Sequence, residues 1–259
     1  MMEDTILTIQ QLSIYHRKAK DQPLVRPLDL AIPKGKTIGI IGESGSGKSL
    51  TMKALMGILP KQLTAEYTSY YYNGQQVTQT QHLPMAMIFQ DPMTALNPLR
   101  TIGYHLFEVI RRREKNITKQ ALLTESIAAL EKVGISYPAE RLKNYPHELS
   151  GGMRQRIMIA MALLTKPKIL IADEPTTALD VTIQFQILQL INQLQKTEGL
   201  TVLLVTHDFG VVAGMCDEVK VMYQGEIIEQ GDTEQIFYHP QHAYTQKLLQ
   251  AADLQHLTI

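Results

Sequence analysis

The chain has 259 residues, and its 25 basic and 25 acidic side chains cancel to a formal net charge of zero. This balance gives no general attraction for nucleic acid. The single cysteine, Cys216, excludes an internal disulfide and a multi-cysteine metal site. No apolar run reaches the roughly 18 residues that a membrane-spanning helix needs, and the polar start MMEDTILTIQQ is unlike a signal peptide. We expect a soluble intracellular protein.

The first half of the chain carries mostly strand patterns. TILTIQQLSIY and PLVRPLDLAI alternate apolar and polar residues and each predict a strand, whereas the continuous run KTIGIIG predicts a buried one. SLTMKALMGILP has helical spacing and is expected to stop at Pro60. SYYYNGQQV predicts a hairpin that turns at Asn73 and Gly74. LPMAMIFQ predicts one more strand.

Strand patterns vanish from about residue 92 to 165 and then return. KILIAD and LTVLLVTH each predict a strand followed by a helix, and EVKVMYQGEIIEQG predicts a terminal hairpin. We therefore predict an α/β core formed by residues 1–91 and 166–259, with a helical subdomain inserted at 92–165.

A glycine-rich loop follows the buried strand KTIGIIG. Residues 42–49, GESGSGKS, match G-x-x-x-x-G-K-[ST] between a predicted strand and a predicted helix, which is the context this phosphate-binding motif requires. Its backbone N–H groups and the helix N-terminus favour an anion. Lys48 is expected to reach the β- and γ-phosphates of ATP, and the Ser49 hydroxyl to bind Mg²⁺. The alternative is a glycine-rich turn that binds nothing.

Acidic and polar residues close three other predicted strands. Asp173 is suited to hold Mg²⁺, and Glu174 to polarise an attacking water as general base. The alternative is an acidic pair that merely ends a strand and caps the next turn. Gln90 and His207 stand where a γ-phosphate could be sensed, although His207 could also have an ordinary hydrogen-bonding role.

The order of these motifs resembles that of the ATP-binding cassette (ABC) ATPases. LSGGMRQ, residues 149–155, is similar to the signature motif of that family, and it lies between Gln90 and the acidic pair. The resemblance covers essentially the whole chain. It implies an α/β fold with a P-loop NTPase (RecA-like) core, an antiparallel β subdomain and an inserted helical subdomain.

ABC ATPase domains associate head to tail around two ATP molecules. The resemblance therefore implies that Ser150, Gly151 and Gly152 form a helix-start anion site that covers the ATP bound by a partner chain. It also places Asp180 at the dimer seam. Tyr15 becomes a candidate to stack on adenine, the alternative being a tyrosine with only a strand-forming role.

The expected site residues fall into three groups. The catalytic residues are Lys48, Gln90, Glu174 and His207. The Mg²⁺ ligands are Ser49, Gln90 and Asp173. The ATP-binding residues are Tyr15, Gly42, Glu43, Ser44, Gly45, Ser46, Gly47, Lys48, Ser49, Leu50, Ser150, Gly151, Gly152 and Asp180.

Finer features resemble the importers of the peptide/nickel family. FQDPMTALNPLRTIG, residues 89–103, is similar to the segment that faces the membrane subunits in that family. GESGSGKSLTMKALMGILP is close to the D-type nickel subunit, and a short tail with one cysteine favours nickel or a nickel chelate as cargo. The alternatives are the same role in an oligopeptide or dipeptide importer, a soluble ABC ATPase acting on DNA or ribosomes, and a small-molecule kinase.

Partners and location follow from the same resemblance. It implies a second homologous ATPase subunit in a heterodimer, two transmembrane permease subunits and an extracytoplasmic solute-binding protein, with no nucleic acid. The chain would sit on the cytoplasmic face of the membrane as a peripheral protein. His239 and His242 are not expected to bind the cargo, because two histidines fall short of a ligand set.

Overall fold

The computed structural model describes residues 4–78, 81–91, 95–177 and 179–252. The chain forms two compact units. The first, unit 1, combines Met1–Leu83 with Gly199–Ile259, and the second, unit 2, is Pro84–Glu198. The predicted boundaries of the helical subdomain, 92–165, lie inside unit 2 and stay a prediction. Part of the segment 89–103, namely residues 92–94, lies outside the described residues.

The strands and helices are numbered in chain order. The strands are β1 Thr5–His16, β2 Ala19–Pro33, β3 Thr37–Ile41, β4 Leu63–Glu66, β5 Ser69–Tyr72, β6 Gln75–Gln76, β7 Met85–Ile88, β8 Ile169–Asp173, β9 Thr201–Val205, β10 Glu218–Tyr223 and β11 Glu226–Asp232. The helices are α1 Lys48–Leu55, α2 Ile102–Arg113, α3 Lys119–Lys132, α4 Pro138–Arg141, α5 Gly151–Leu164, α6 Val181–Glu198, α7 Phe209–Met215, α8 Thr233–Tyr238 and α9 Ala243–Ala251. In the described ranges, no helix combines the length and the apolarity needed to cross a membrane.

An antiparallel sheet in unit 1 is built around β1. Strands β2, β4 and β5 all pair with β1, and β6 extends β5. Ile9 and Ile14 of β1 are fully buried. They are five positions apart, and the strand register shifts between Ile9 and Leu12, where Gln11 has a positive φ of 53°. The predicted turn between β5 and β6 is confirmed, because Asn73 and Gly74 both adopt the positive φ that a type I′ turn requires.

A second sheet in unit 1 carries the glycine-rich loop. Strand β3 lies parallel to β9 on one side and to β10 on the other, and β11 pairs antiparallel with β10. Every residue of β3 and β9 is buried, as expected for parallel strands that are covered on both faces. The described strands thus confirm the predicted α/β class.

Two predicted boundaries in unit 1 are wrong. Helix α1 ends at Leu55 and not at Pro60, because Gly57 adopts a left-handed φ of 68° and its N–H donates to the Ala54 carbonyl at 3.0 Å. The hairpin β10–β11 is present but is not terminal, since α8 and α9 follow it. The Asp232 side chain starts α8 by accepting from the Gln235 N–H, a capping signal that the sequence reading passed over.

Unit 2 consists of two parallel strands and the helices α2 to α6. Strands β7 and β8 pair in a register that places Ile88 opposite Ala172. The helices fill most of the stretch in which strand patterns vanish. Side-chain oxygens of Thr101, Thr118 and Ser150 accept N–H groups at the starts of α2, α3 and α5.

Helix α5 begins with two glycines that allow it to approach α6 closely. A Cβ atom on Gly152 would lie 2.6 Å from Ile183 Cγ2, well inside van der Waals contact. A Cβ on Gly151 would lie 3.1 Å from Leu179 Cδ2. Gly152 therefore has a packing role in unit 2, separate from any role in binding an anion.

We predict that Gly152→Ala lowers the free energy of unfolding by about 1–3 kcal/mol through overpacking. Combining it with Ile183→Ala should remove the clash. The double variant should therefore lose less unfolding free energy than the two single losses added together, by at least about 1 kcal/mol. Urea unfolding measures all three variants. A control is Gly214→Ala in α7, where a Cβ meets no atom within 4 Å, and where we expect a gain of about 0.5 kcal/mol. Strictly additive losses at 152 and 183 would contradict the packing role.

Candidate functional site

The glycine-rich loop of unit 1 has a backbone that only glycine accommodates at its key positions. Gly42, Gly45 and Gly47 have φ values of 148°, 83° and 104°. A Cβ on Gly42 would lie 2.0 Å from the Met222 carbonyl oxygen of β10. The loop is therefore pressed against the end of β10, and a side chain at residue 42 would force the two apart.

Lys48 lies inside this loop. Its side chain is buried, and its ammonium group donates to the carbonyl oxygens of Gly42 at 2.7 Å and Glu43 at 2.8 Å. The Ser46 hydroxyl lies 3.4 Å from the same nitrogen. A buried ammonium needs such partners, because an unpaired charge away from water is costly. The loop thus fixes a positive charge beside the start of α1.

The start of α1 fits a phosphate group. The first N–H groups of any helix have no partner within the helix, and at α2, α3 and α5 a side-chain oxygen accepts one of them. At α1 the capping position is Gly47, which has no side chain to do this. A phosphate oxygen is a suitable acceptor for such N–H groups, particularly next to the Lys48 ammonium.

The other expected ATP-site residues of unit 1 occupy separate places. Tyr15 lies half-buried on β1, opposite Thr64 of β4 and Pro23 of β2. His207 is exposed and lies two residues after the end of β9. On the loop, Glu43, Ser44 and Gly45 are exposed, and on the first turn of α1 the side chains of Ser49 and Leu50 are half-buried.

In unit 2, strand register brings Gln90 and Glu174 together. Because Ile88 pairs with Ala172 on the parallel strand, the residues two positions further on lie side by side. The Gln90 amide nitrogen donates to Glu174 Oε2 at 2.9 Å. The two residues were predicted separately from their strand ends, and the structure places them in contact.

Glu174 is held by a second donor that the sequence reading missed. The Thr177 hydroxyl donates to Glu174 Oε2 at 2.9 Å. Glu174 itself has a φ of 46°, a left-handed conformation that is uncommon for this residue type. A threonine three residues after a strand-end glutamate was the available signal. Asp173, the last residue of β8, is buried.

The predicted helix start at Ser150 is confirmed. Its hydroxyl oxygen accepts from the Met153 N–H at 3.3 Å, and α5 begins at Gly151. Asp180 has a comparable position before α6, where its Oδ1 accepts from the Ile183 N–H at 3.0 Å. Asp180 is thus a helix-capping residue, and its expected place at a dimer seam stays a prediction.

The C-terminal helix α9 adds a contact to the glycine-rich loop. The Glu43 N–H donates to the Tyr244 hydroxyl at 3.1 Å, and the Tyr244 ring packs on Tyr223 with ring centroids 4.0 Å apart. The two hydrogen-bonded residues are 201 positions apart in sequence. Local patterns carry no signal for such a pair.

Comparison with known proteins agrees with this geometry. Residues 25–177 match the family described as ABC transporter. The oligopeptide transport ATP-binding protein OppD of Haemophilus influenzae is 48% identical over 88% of this chain and 72% of its own length. The dipeptide transport ATP-binding protein DppD of Bacillus subtilis is 46% identical over 95% of this chain and 76% of its own length.

A solved structure supports the same fold. The structure of cbiO1 from Clostridium perfringens, described as part of the ABC transporter complex cbiONQ, superposes with a TM-score of 0.77 at 27% identity, covering 91% of each chain. The predicted ABC ATPase fold is confirmed. The chain belongs to the ABC transporter family and is one of its ATPases.

Proposed function

We propose that this chain is the ATP-hydrolysing, energy-coupling subunit of a membrane importer for peptides. The two relatives described above are an oligopeptide and a dipeptide transport protein. The nickel interpretation depended on one short stretch, GESGSGKSLTMKALMGILP, together with a short tail and a single cysteine. Identity of this level over most of the chain is a more specific signal. The peptide alternative is therefore better supported than nickel.

The phosphate-binding loop carries the proposal. Lys48, fixed on the Gly42 and Glu43 carbonyls, would place its positive charge against the β- and γ-phosphates of ATP, and the N–H groups at the start of α1 would hold the phosphate oxygens. Ser49 is the proposed hydroxyl ligand of Mg²⁺ in this unit. Tyr15 is proposed to stack on adenine.

Glu174 is the proposed general base. When bound, Mg²⁺–ATP supplies the phosphoryl group that water attacks. The Gln90 and Thr177 donors hold the Glu174 carboxylate in one orientation, so that it can accept a proton from that water without a change of rotamer. Asp173 and Gln90 are proposed for Mg²⁺, and His207 is proposed to contact the γ-phosphate.

We further propose that Ser150, Gly151 and Gly152 bind the γ-phosphate of ATP held by a second, homologous ATPase chain, with Asp180 at the seam. Ser150 accepts the Met153 N–H at this helix start, and the N–H groups of Gly151 and Gly152 are the proposed donors to the phosphate. Two permease subunits and a solute-binding protein would complete the importer, which would place this chain at the membrane as a peripheral subunit.

We predict that Glu174→Gln reduces ATP hydrolysis at least about 100-fold and leaves ATP binding intact, because it removes the base. A glutamine keeps a carbonyl oxygen for the Gln90 and Thr177 donors, so the local geometry should survive. ATPase activity and ATP binding are measured on the complex purified through an affinity tag on this chain. The matched control is Glu131→Gln on the exposed face of α3, which should behave as wild type. Normal turnover of Glu174→Gln, or phosphoryl transfer to an acceptor other than water, would contradict the assignment.

Uptake measurements in living cells can identify the cargo. We predict that Lys48→Ala abolishes uptake of a labelled oligopeptide and leaves the nickel content of cells in metal-poor medium unchanged, since the variant loses the ammonium proposed to bind the phosphates. Lys53→Ala, on the last turn of the same helix, is the matched control. A fall in nickel with unchanged peptide uptake would restore the nickel interpretation. No change in either would contradict a role in importing these cargoes.

A further inference from the structure

One peptide group of the glycine-rich loop is held from both sides. The Gly42 carbonyl and the Glu43 N–H belong to the same peptide unit, which is planar and therefore turns as one body. The carbonyl accepts from the Lys48 ammonium at 2.7 Å, and the N–H donates to the Tyr244 hydroxyl at 3.1 Å. The orientation of this peptide thus links the position of Lys48 to the position of Tyr244.

The C-terminal segment that carries Tyr244 is anchored by its own hydrogen bonds. Glu229 of β11 accepts from the Gln241 N–H at 2.7 Å and from the His242 N–H at 3.1 Å. His242 Nδ1 in turn accepts from the Tyr244 N–H at 3.1 Å, which caps the start of α9. Thr245 and Leu249 on α9 are buried. These contacts fix where the Tyr244 side chain projects.

A second anchor is the hairpin turn after β10. The ring of Tyr223 packs on that of Tyr244, and the Gly225 N–H donates to the Ser46 carbonyl at 3.0 Å. The hairpin therefore contacts the loop at Ser46, while α9 contacts it at Glu43.

At neutral pH the Tyr244 hydroxyl is neutral and the Glu229 carboxyl is ionised, and the oxygens of both can accept the N–H groups that reach them. Burial is the main cause that raises the pKa of Tyr244, so its hydroxyl keeps its proton. Burial alone would raise the pKa of Glu229, but the N–H groups of Gln241 and His242 donate to its carboxylate, and the pKa is lowered overall. Glu229 is thus ionised and able to accept the N–H groups that anchor α9.

We propose that Tyr244 is a positioning residue for nucleotide binding, and that its hydroxyl holds the Gly42–Glu43 peptide in the orientation that fixes Lys48. The C-terminal segment then sets the affinity of the loop for ATP, although no atom of it needs to touch the nucleotide. This inference rests on the proposed ATP-binding function of the loop.

The decisive variant is Tyr244→Phe, which removes the hydroxyl and keeps the ring. Loss of one ordinary hydrogen bond should weaken ATP binding about fivefold, measured by titration calorimetry. In the ATPase assay of the assembled complex, KM for ATP should rise by the same factor with kcat unchanged. Tyr223→Phe is the matched control. It keeps the ring that packs on Tyr244 and removes a hydroxyl that accepts from the Gln224 side-chain amide. It should bind ATP as wild type does.

A readout at the loop separates positioning from general stability. Hydrogen exchange of the Glu43 amide should accelerate in Tyr244→Phe and not in Tyr223→Phe, while the two variants unfold at the same temperature. Wild-type affinity in Tyr244→Phe, or an equal loss in both variants, would overturn the inference. If the wild-type chain itself binds no ATP, the proposed function fails and the inference fails with it. A wild type that binds ATP beside an unaffected Tyr244→Phe overturns the inference alone.

Discussion

The buried ammonium of Lys48 is the constraint on which the phosphate-binding loop depends. A buried charge is tolerated only with close partners, and here the partners are carbonyl oxygens of the loop itself. The loop can turn its carbonyls inward because Gly42, Gly45 and Gly47 adopt positive φ values. The same turn brings the backbone against β10 so closely that residue 42 has no room for a side chain. Charge, backbone conformation and packing therefore require one another at this point.

In unit 2, strand register fixes the position of a charged side chain, the Glu174 carboxylate. Parallel pairing of β7 with β8 sets Gln90 beside Glu174, and Thr177 supplies a second donor to the same carboxylate oxygen. The left-handed backbone at Glu174 is an uncommon conformation that these contacts hold in place. A carboxylate fixed in this way suits a base that must meet a water molecule in one geometry.

Local sequence patterns predicted the phosphate-binding loop and several turns and helix starts. They could not predict contacts between residues that are far apart in sequence. GESGSGKS, the Asn73–Gly74 turn and the Ser150 helix start each depend on residues close in sequence, and each was predictable. The predicted end of α1 at Pro60 was wrong, because Gly57 adopts a left-handed conformation and ends the helix earlier. Contacts such as Glu43–Tyr244 join residues 201 positions apart, so no window of sequence contains them. The tail favoured nickel as cargo, whereas the relatives described above are peptide transport proteins, since composition says little about what a membrane partner carries.

The close approach of Gly152 to Ile183 has a mechanical consequence. Ser150 caps α5, Gly152 touches Ile183 on α6, and the Ile183 N–H is held by Asp180. Met153 follows Gly152 directly on α5, so the N–H that Ser150 accepts and the glycine that Ile183 approaches lie within one turn. Because a side chain at residue 152 would have no room beside Ile183, we expect a shift of the start of α5 towards α6 to displace Ile183, and the start of α6 with it.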